Sequence, residues 1–220
     1  MFRRHELVWV NPAAWHDALN RHAGLADIPV LRDWALKGWP AIIRRRVEHD
    51  PAGYVMVGVP LPLSLGKRRV GLAVAAEDIM ERKAVFPLQQ ALSDAPETWR
   101  VSIERVCRLA DELQITPGVF GSLLWQHLTG LIYLSPQSDL DLLWPVQSGR
   151  VRTHLLDELG AIDADGPRLD GEIILPDGTG VNWRELWQSR GAGVDQVLGK
   201  TLDGVRLLPA RTLLEEADAS

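Results

Sequence analysis

The run Ser138-Asp139-Leu140-Asp141-Leu142-Leu143-Trp144 constrains the fold more than any other stretch of this chain. Polar and apolar residues alternate from Ser138 to Leu142 and the run then stays apolar, the pattern of a β-strand with one face in a core. On such a strand Asp139 and Asp141 leave the same face with Cβ atoms roughly 6–7 Å apart, while Leu140 and Leu142 anchor the opposite face. Two carboxylates at that separation repel each other. A divalent cation between them removes the repulsion, and hard oxygen donors of this kind suit Mg2+.

Upstream of that acidic pair, with sixteen residues between Ser122 and Asp139, stands Gly121-Ser122, preceded by the short apolar strand Val119-Phe120 and followed by a helical run, Leu123–Leu128. A glycine at such a turn lets a phosphate approach the backbone. The positive end of the helix and its exposed N–H groups then bind the anion, and the Ser122 hydroxyl adds a donor. A phosphate cradle beside a metal-binding acid pair meets the needs of phosphoryl or nucleotidyl transfer, which are positioning and charge neutralisation. A third carboxylate is expected from Arg168-Leu169-Asp170-Gly171-Glu172. Asp170 is preferred over Glu172 because the alternation turns it inward beside Leu169. It would complete a second metal site and accept the proton of the nucleophile.

Around this segment the patterning predicts two α+β regions. Residues 1 to about 88 alternate short β-rich runs (Leu7–Val10, Ala41–Val47, Tyr54–Val59 and Arg69–Val74) with turns, and helical patterns interrupt them at Pro12–His22 and Val30–Lys37. Phe86–Glu97, with Pro87 and Pro96, reads as a linker. Thr98–Leu113 carries a broad helical stripe that Thr116-Pro117 should end. Val151–Leu159 is helical in pattern, and Arg168–Leu175 alternates again before the turn Pro176-Asp177-Gly178. The resulting β–α–β–α–β order predicts a catalytic domain over 89–220 with a mixed sheet flanked by helices, after a small α/β unit over 1–88.

Composition narrows the partners. With 46% hydrophobic and 24% charged residues the chain is ordinary globular protein, and a net charge of −5 without a long basic tract disfavours nucleic acid and anionic membranes. Cys107 is the single cysteine, which precludes an intramolecular disulfide and suits a reducing compartment. No 18-residue apolar run or signal-like start is visible, so a soluble, cytoplasmic protein is expected. Nine tryptophans against three phenylalanines and two tyrosines are read as core and core-edge residues.

Other polar residues are weaker candidates. The turn Gly66-Lys67-Arg68-Arg69 is not a P-loop, yet Lys67 and Arg69 could bind substrate phosphates. Arg44-Arg45-Arg46 reads as pairing with acidic neighbours. His127, five residues after Ser122, could touch substrate or pack. His16 and His22 lack acidic partners at zinc spacing.

Gly121-Ser122…Asp139-x-Asp141 resembles the DNA-polymerase-β-like nucleotidyltransferase superfamily. The longer run Val119-Phe120-Gly121-Ser122-Leu123-Leu124-Trp125-Gln126-His127-Leu128-Thr129-Gly130…Tyr133…Ser138-Asp139-Leu140-Asp141-Leu142-Leu143 is similar to the malonate decarboxylase holo-acyl-carrier-protein synthases, which are phosphoribosyl-dephospho-CoA transferases. The similarity extends to Leu61–Arg69, to Arg168–Glu172 with Pro176-Asp177-Gly178, and to Trp183-Arg184-Glu185-Leu186. It implies a nucleotidyltransferase-like catalytic domain after an N-terminal substrate-binding unit. The implied reaction takes 2′-(5″-triphosphoribosyl)-3′-dephospho-CoA and a serine of the decarboxylase acyl-carrier subunit, and releases pyrophosphate. Asp139 and Asp141 would hold Mg2+ across the triphosphate, Gly121 and Ser122 would cradle the leaving pyrophosphate, and Asp170 would activate the serine. The acids alone are equally compatible with transfer from a common nucleoside triphosphate to another acceptor, or with a binding module that keeps the fold.

Overall fold

The structure, a computed structural model, describes residues 2–191 and 195–215. The chain divides into two compact units. One comprises Met1–Val85, Leu128–Tyr133 and Leu202–Gly204, and the other Phe86–His127, Leu134–Thr201 and Val205–Ser220.

The first unit opens with β1 (Leu7–Val10) and α1 (Pro12–Asn20). The Asn11 side chain caps α1 by accepting from the Ala13 N–H, and Pro12 presets the first helical residue. α1 buries Trp15, Ala18 and Leu19, and the Trp15 indole N–H donates to the Leu31 carbonyl of the short α2 (Pro29–Arg32) at 2.7 Å. The helical pattern expected through Lys37 continues past α2 only as turns, where the Trp34 indole N–H reaches the Pro40 carbonyl. β2 (Ala41–Ile43), β3 (Val55–Pro60), β4 (Arg69–Val74) and β5 (Ile79–Lys83) complete a five-stranded antiparallel sheet in the order β4-β3-β2-β1-β5.

β2 stops at Ile43 rather than Val47. Arg44 still donates its backbone N–H to the Met56 carbonyl, but its guanidinium turns onto Asp50, at 2.8 and 2.6 Å. Arg46 donates its guanidinium to the carbonyls of Pro51 and Tyr54, so side-chain bonds shape the segment that follows β2. β5 escaped the pattern reading because its central residues, Met80, Glu81 and Arg82, are all exposed; it is an edge strand with no apolar face to betray it. Tyr133, from the returning segment, is fully buried and donates its hydroxyl to the Pro60 carbonyl at 3.0 Å. Burial pushes its phenol up to about 12, so it stays a donor.

In the second unit Phe86–Glu97 is no open linker: Leu88–Asp94 forms a 3-10 turn with Leu88 and Ala91 fully buried. α3 (Arg100–Leu113) packs Ile103, Val106, Leu109 and Ala110 inward and ends at a left-handed Gln114, two residues before Thr116-Pro117. There follow β6 (Gly118–Val119), α4 (Gly121–Thr129), β7 (Leu140–Pro145), β8 (Val151–Arg152), α5 (Thr153–Asp165), β9 (Leu169–Ile174), β10 (Gly180–Asn182), α6 (Trp183–Gln188), β11 (Gln196–Lys200), β12 (Val205–Pro209), α7 (Ala210–Leu213) and β13 (Leu214–Glu215). The helix expected from Val151 thus begins at Thr153, because Val151 and Arg152 pair in parallel with β13.

Six strands form one mixed sheet in the order β12-β11-β10-β9-β7-β6. Only β7 and β9 are parallel there, with α5 in the connection between them, as a parallel pair requires. The fold is α+β. Six of the nine tryptophans (Trp15, Trp34, Trp99, Trp125, Trp144 and Trp183) are buried, in keeping with their reading as core. Among the described residues no helix is long and apolar enough to cross a membrane.

Candidate active site

The parallel register of β7 and β9 places Asp141 directly opposite Asp170. Such neighbours sit about 4.8 Å apart across the ladder and project to the same side. Both are half-buried, one residue into their strands, while Leu140 and Leu169 beside them are buried in the core. The turn into α4 comes to the same point. Gly121 adopts φ +66°, and a Cβ placed on it would lie 1.8 Å from Oδ2 of Asp141. Only glycine satisfies both conditions, since the conformation is strained for L-residues and the space is filled by the carboxylate. The Phe120 N–H donates to the Asp141 carbonyl at 3.1 Å, which ties the turn to the acid-bearing strand. Gly171 plays the matching part beside Asp170: at φ +147° its Cβ would meet the Leu142 carbonyl at 1.9 Å.

Asp139 is placed differently from its partner two residues on. It precedes the first residue of β7, and its carboxylate accepts from Arg168 at 2.7 Å. That arginine is 62% exposed, and the backbone bond from Leu140 N–H to the Arg168 carbonyl sets the two side by side. Asp170 accepts on Oδ1 from its neighbour Gly171 N–H at 2.8 Å and from the Asn182 side-chain amide at 3.2 Å. Glu172, the other candidate on β9, is buried and paired with Lys200 at 3.1 Å, which commits it to a structural ion pair. Asp141 and Asp170 are therefore the acids brought together, with Asp139 at their edge on Arg168.

Among the described residues no group of three or more His, Cys, Asp or Glu side chains is gathered to hold a metal. A cage of protein ligands alone is thus absent from this arrangement. Mg2+, however, is commonly held by one or two carboxylates together with waters and substrate phosphates. The Asp141–Asp170 pair fits that mode.

Ser122 lies in the first turn of α4, almost buried. His127, near its other end, places Nδ1 2.8 Å from Asp94 and packs on Phe86 with ring centroids 5.4 Å apart. The hydrogen bond from His127 holds the Asp94 carboxyl below its ordinary value. Lys67 and Arg69 belong to the first unit. Lys67 is left-handed at φ +52° in the turn after Gly66, Arg69 opens β4 opposite Pro60, and both are exposed.

Pattern reading passed over Asn182, Arg184 and Asp163. Asn182 accepts on Oδ1 from the Arg184 and Glu185 N–H groups, the cap of α6, and its amide reaches Asp170. Arg184 forms a two-pronged pair with Asp163 at 2.6 and 2.8 Å. The carboxylate of Asp163 raises the Arg184 guanidinium above its ordinary value, with Asp170 and Asp139 adding to the effect, and Arg184 in turn lowers Asp163. The available signal was an asparagine immediately ahead of an apolar helical run, which marks a helix start.

Residues 87–211 match the family model described as phosphoribosyl-dephospho-CoA transferase MdcG C-terminal domain, and residues 3–84 match the corresponding N-terminal domain. The chain belongs to the phosphoribosyl-dephospho-CoA transferase family. Its relatives include a protein of that name in Bradyrhizobium diazoefficiens, 38% identical over 99% of this chain and 94% of the relative. One in Xanthomonas campestris pv. campestris is 38% identical over the full length of both, and one in Pseudomonas syringae pv. tomato is 29% identical over 93% of this chain and 90% of the relative. No solved structure matches the chain significantly. The C-terminal family match contains Gly121, Asp141, Asp170 and Asn182, so the candidate site lies within it; Lys67 and Arg69 lie within the N-terminal match.

Proposed function

We propose that this chain transfers the phosphoribosyl-dephospho-CoA group of 2′-(5″-triphosphoribosyl)-3′-dephospho-CoA to a serine hydroxyl on the acyl-carrier subunit of malonate decarboxylase. The observation that carries this reading is the Asp141–Asp170 pair, in register on parallel strands and pressed against a left-handed Gly121. The names of the full-length relatives support the transferred group. In the reaction the serine oxygen bonds to the phosphorus nearest the ribose. The bond from that phosphorus to the bridging oxygen breaks, pyrophosphate leaves with the electron pair, and a phosphodiester remains on the carrier.

Asp170 accepts the serine proton in this scheme, with Asn182 holding one of its oxygens. Gly121 and Ser122, at the start of the nine-residue α4, receive the departing pyrophosphate. Asp141 and Asp170 would hold Mg2+, which supplies charge neutralisation to the polyphosphate. The single cysteine and the CoA-derived donor suit a cytoplasmic reaction.

The test is direct. Purified protein is incubated with the triphosphoribosyl donor, apo carrier subunit and Mg2+, and the carrier is weighed by intact mass spectrometry. The expected result is a single added phosphoribosyl-dephospho-CoA mass on a serine, with one pyrophosphate released per carrier. An unmodified carrier, or a nucleotide added from ATP or CTP instead, contradicts the reading.

A further inference from the structure

The junction of β10 and α6 holds the Asp170 carboxylate through Asn182 and the backbone just before it through Arg184. Asn182 spends its side-chain oxygen on the cap of α6, accepting from Arg184 N–H at 3.0 Å and Glu185 N–H at 3.1 Å. That commitment leaves the amide no freedom to flip, so its NH2 end faces Oδ1 of Asp170 at 3.2 Å. Two residues on, Arg184 holds the backbone next to the same acid. Its guanidinium donates to the Leu169 carbonyl at 2.9 Å while gripping Asp163, and Asp163 accepts from the Leu169 N–H at 2.7 Å. Both polar backbone groups of the residue before Asp170 are thereby fixed by one ion pair. The guanidinium also stacks 4.6 Å from the ring of Trp183, which is 1% exposed, so its plane is anchored in the core.

We propose that Asn182, Arg184 and Asp163 form a clamp that positions Asp170 for the transfer step. The chemistry of that step rests on the function proposed above; the clamp itself rests on the geometry. It gives a role to the Trp183-Arg184-Glu185-Leu186 run, whose arginine is engaged by Asp163 and the Leu169 carbonyl and is only partly exposed. Asn182 and Arg184 are positioning residues, acting through Asp170. Groups that orient a reacting carboxylate from behind typically contribute about 10–100-fold to activity or metal affinity.

A bland alternative assigns Asn182 only to helix capping, and substitution separates the two. Serine and aspartate cap a helix about as well as asparagine, but neither presents an amide donor to Asp170. The experiment compares wild type, Asn182→Ser and Asn182→Asp by two readouts. One is kcat and KM for carrier labelling. The other is the set of three-bond couplings that report the χ1 rotamer of Asp170 in isotope-labelled protein. The clamp predicts that both variants fold as wild type, that kcat falls about 10–100-fold with little change in KM, and that Asp170 passes from one rotamer to an average over several. Arg184→Lys, which loses the two-pronged grip, should behave similarly. Wild-type kcat in both capping variants, or an Asp170 that keeps a single rotamer in them, overturns the clamp. If wild-type protein labels no carrier, the proposed reaction fails, while the couplings still decide the clamp.

Discussion

At Gly121 two independent requirements fall on one residue: a left-handed backbone at φ +66° and a side-chain volume already occupied by the Asp141 carboxylate. Gly121→Ala is therefore expected to lose about 1–2 kcal/mol of stability from backbone strain alone. Its methyl group also displaces Asp141, so labelling should fall toward the level of Asp141→Asn. Thermal unfolding and labelling rate, measured on the same preparation, check both parts; an alanine variant with wild-type rate contradicts the close approach. The glycine–serine turn and the acidic strand were legible because strand alternation and turn chemistry are local. Alternation along Arg168–Glu172 also favoured Asp170 over Glu172, and the register places Asp170 opposite Asp141; the cations that engage the other acids were not legible. Arg168 stands 29 residues from Asp139, and Lys200 stands 28 from Glu172, so neither ion pair has a local signature.

Among elements, those with an apolar stripe or run were readable and those without were not. α3 buries one face and β7 is buried on both from Leu142 to Trp144, and both stood out in the sequence, whereas β5 and β12 expose most of their residues and left no periodic signal. Ion pairs between residues apart in sequence are similarly silent, although they shape the pH response. Asp163 is held below its ordinary value first by Arg184, Asp50 by Arg44 and Asp157 by Arg190. A carboxylate lowered in the folded state stabilises it fully above the unfolded value near 4, and that contribution disappears as pH falls through the lowered folded values. Denaturant midpoints should then be flat from about pH 7 to 5 and decline below about pH 4. Asp163→Asn should lower the midpoint at pH 7 and flatten the acid decline; an equally steep decline in that variant contradicts the assignment to this pair.

For the molecule as a whole, the chain does not partition at one cut. Leu128–Tyr133 and Leu202–Gly204 belong to the first unit although the second surrounds them in sequence. Tyr133 fills that unit's core and holds the Pro60 carbonyl, and Ile132 accepts from the Leu63 N–H at 3.0 Å. Tyr133→Ala should cost about 3–5 kcal/mol as a cavity in a packed core, and Tyr133→Phe about 1 kcal/mol for one lost hydrogen bond. Chemical denaturation distinguishes them; equal losses would mean the hydroxyl, rather than the ring, dominates.

The site's organising pair remains the claim on which most depends, and single-turnover labelling of the carrier tests it most directly. Intact-mass time courses for wild type, Asp141→Asn and Asp170→Asn should show a loss of about 10³-fold in rate for each substitution, with unfolding midpoints close to wild type. Either variant labelling at the wild-type rate would contradict the assignment of the reaction to these two carboxylates.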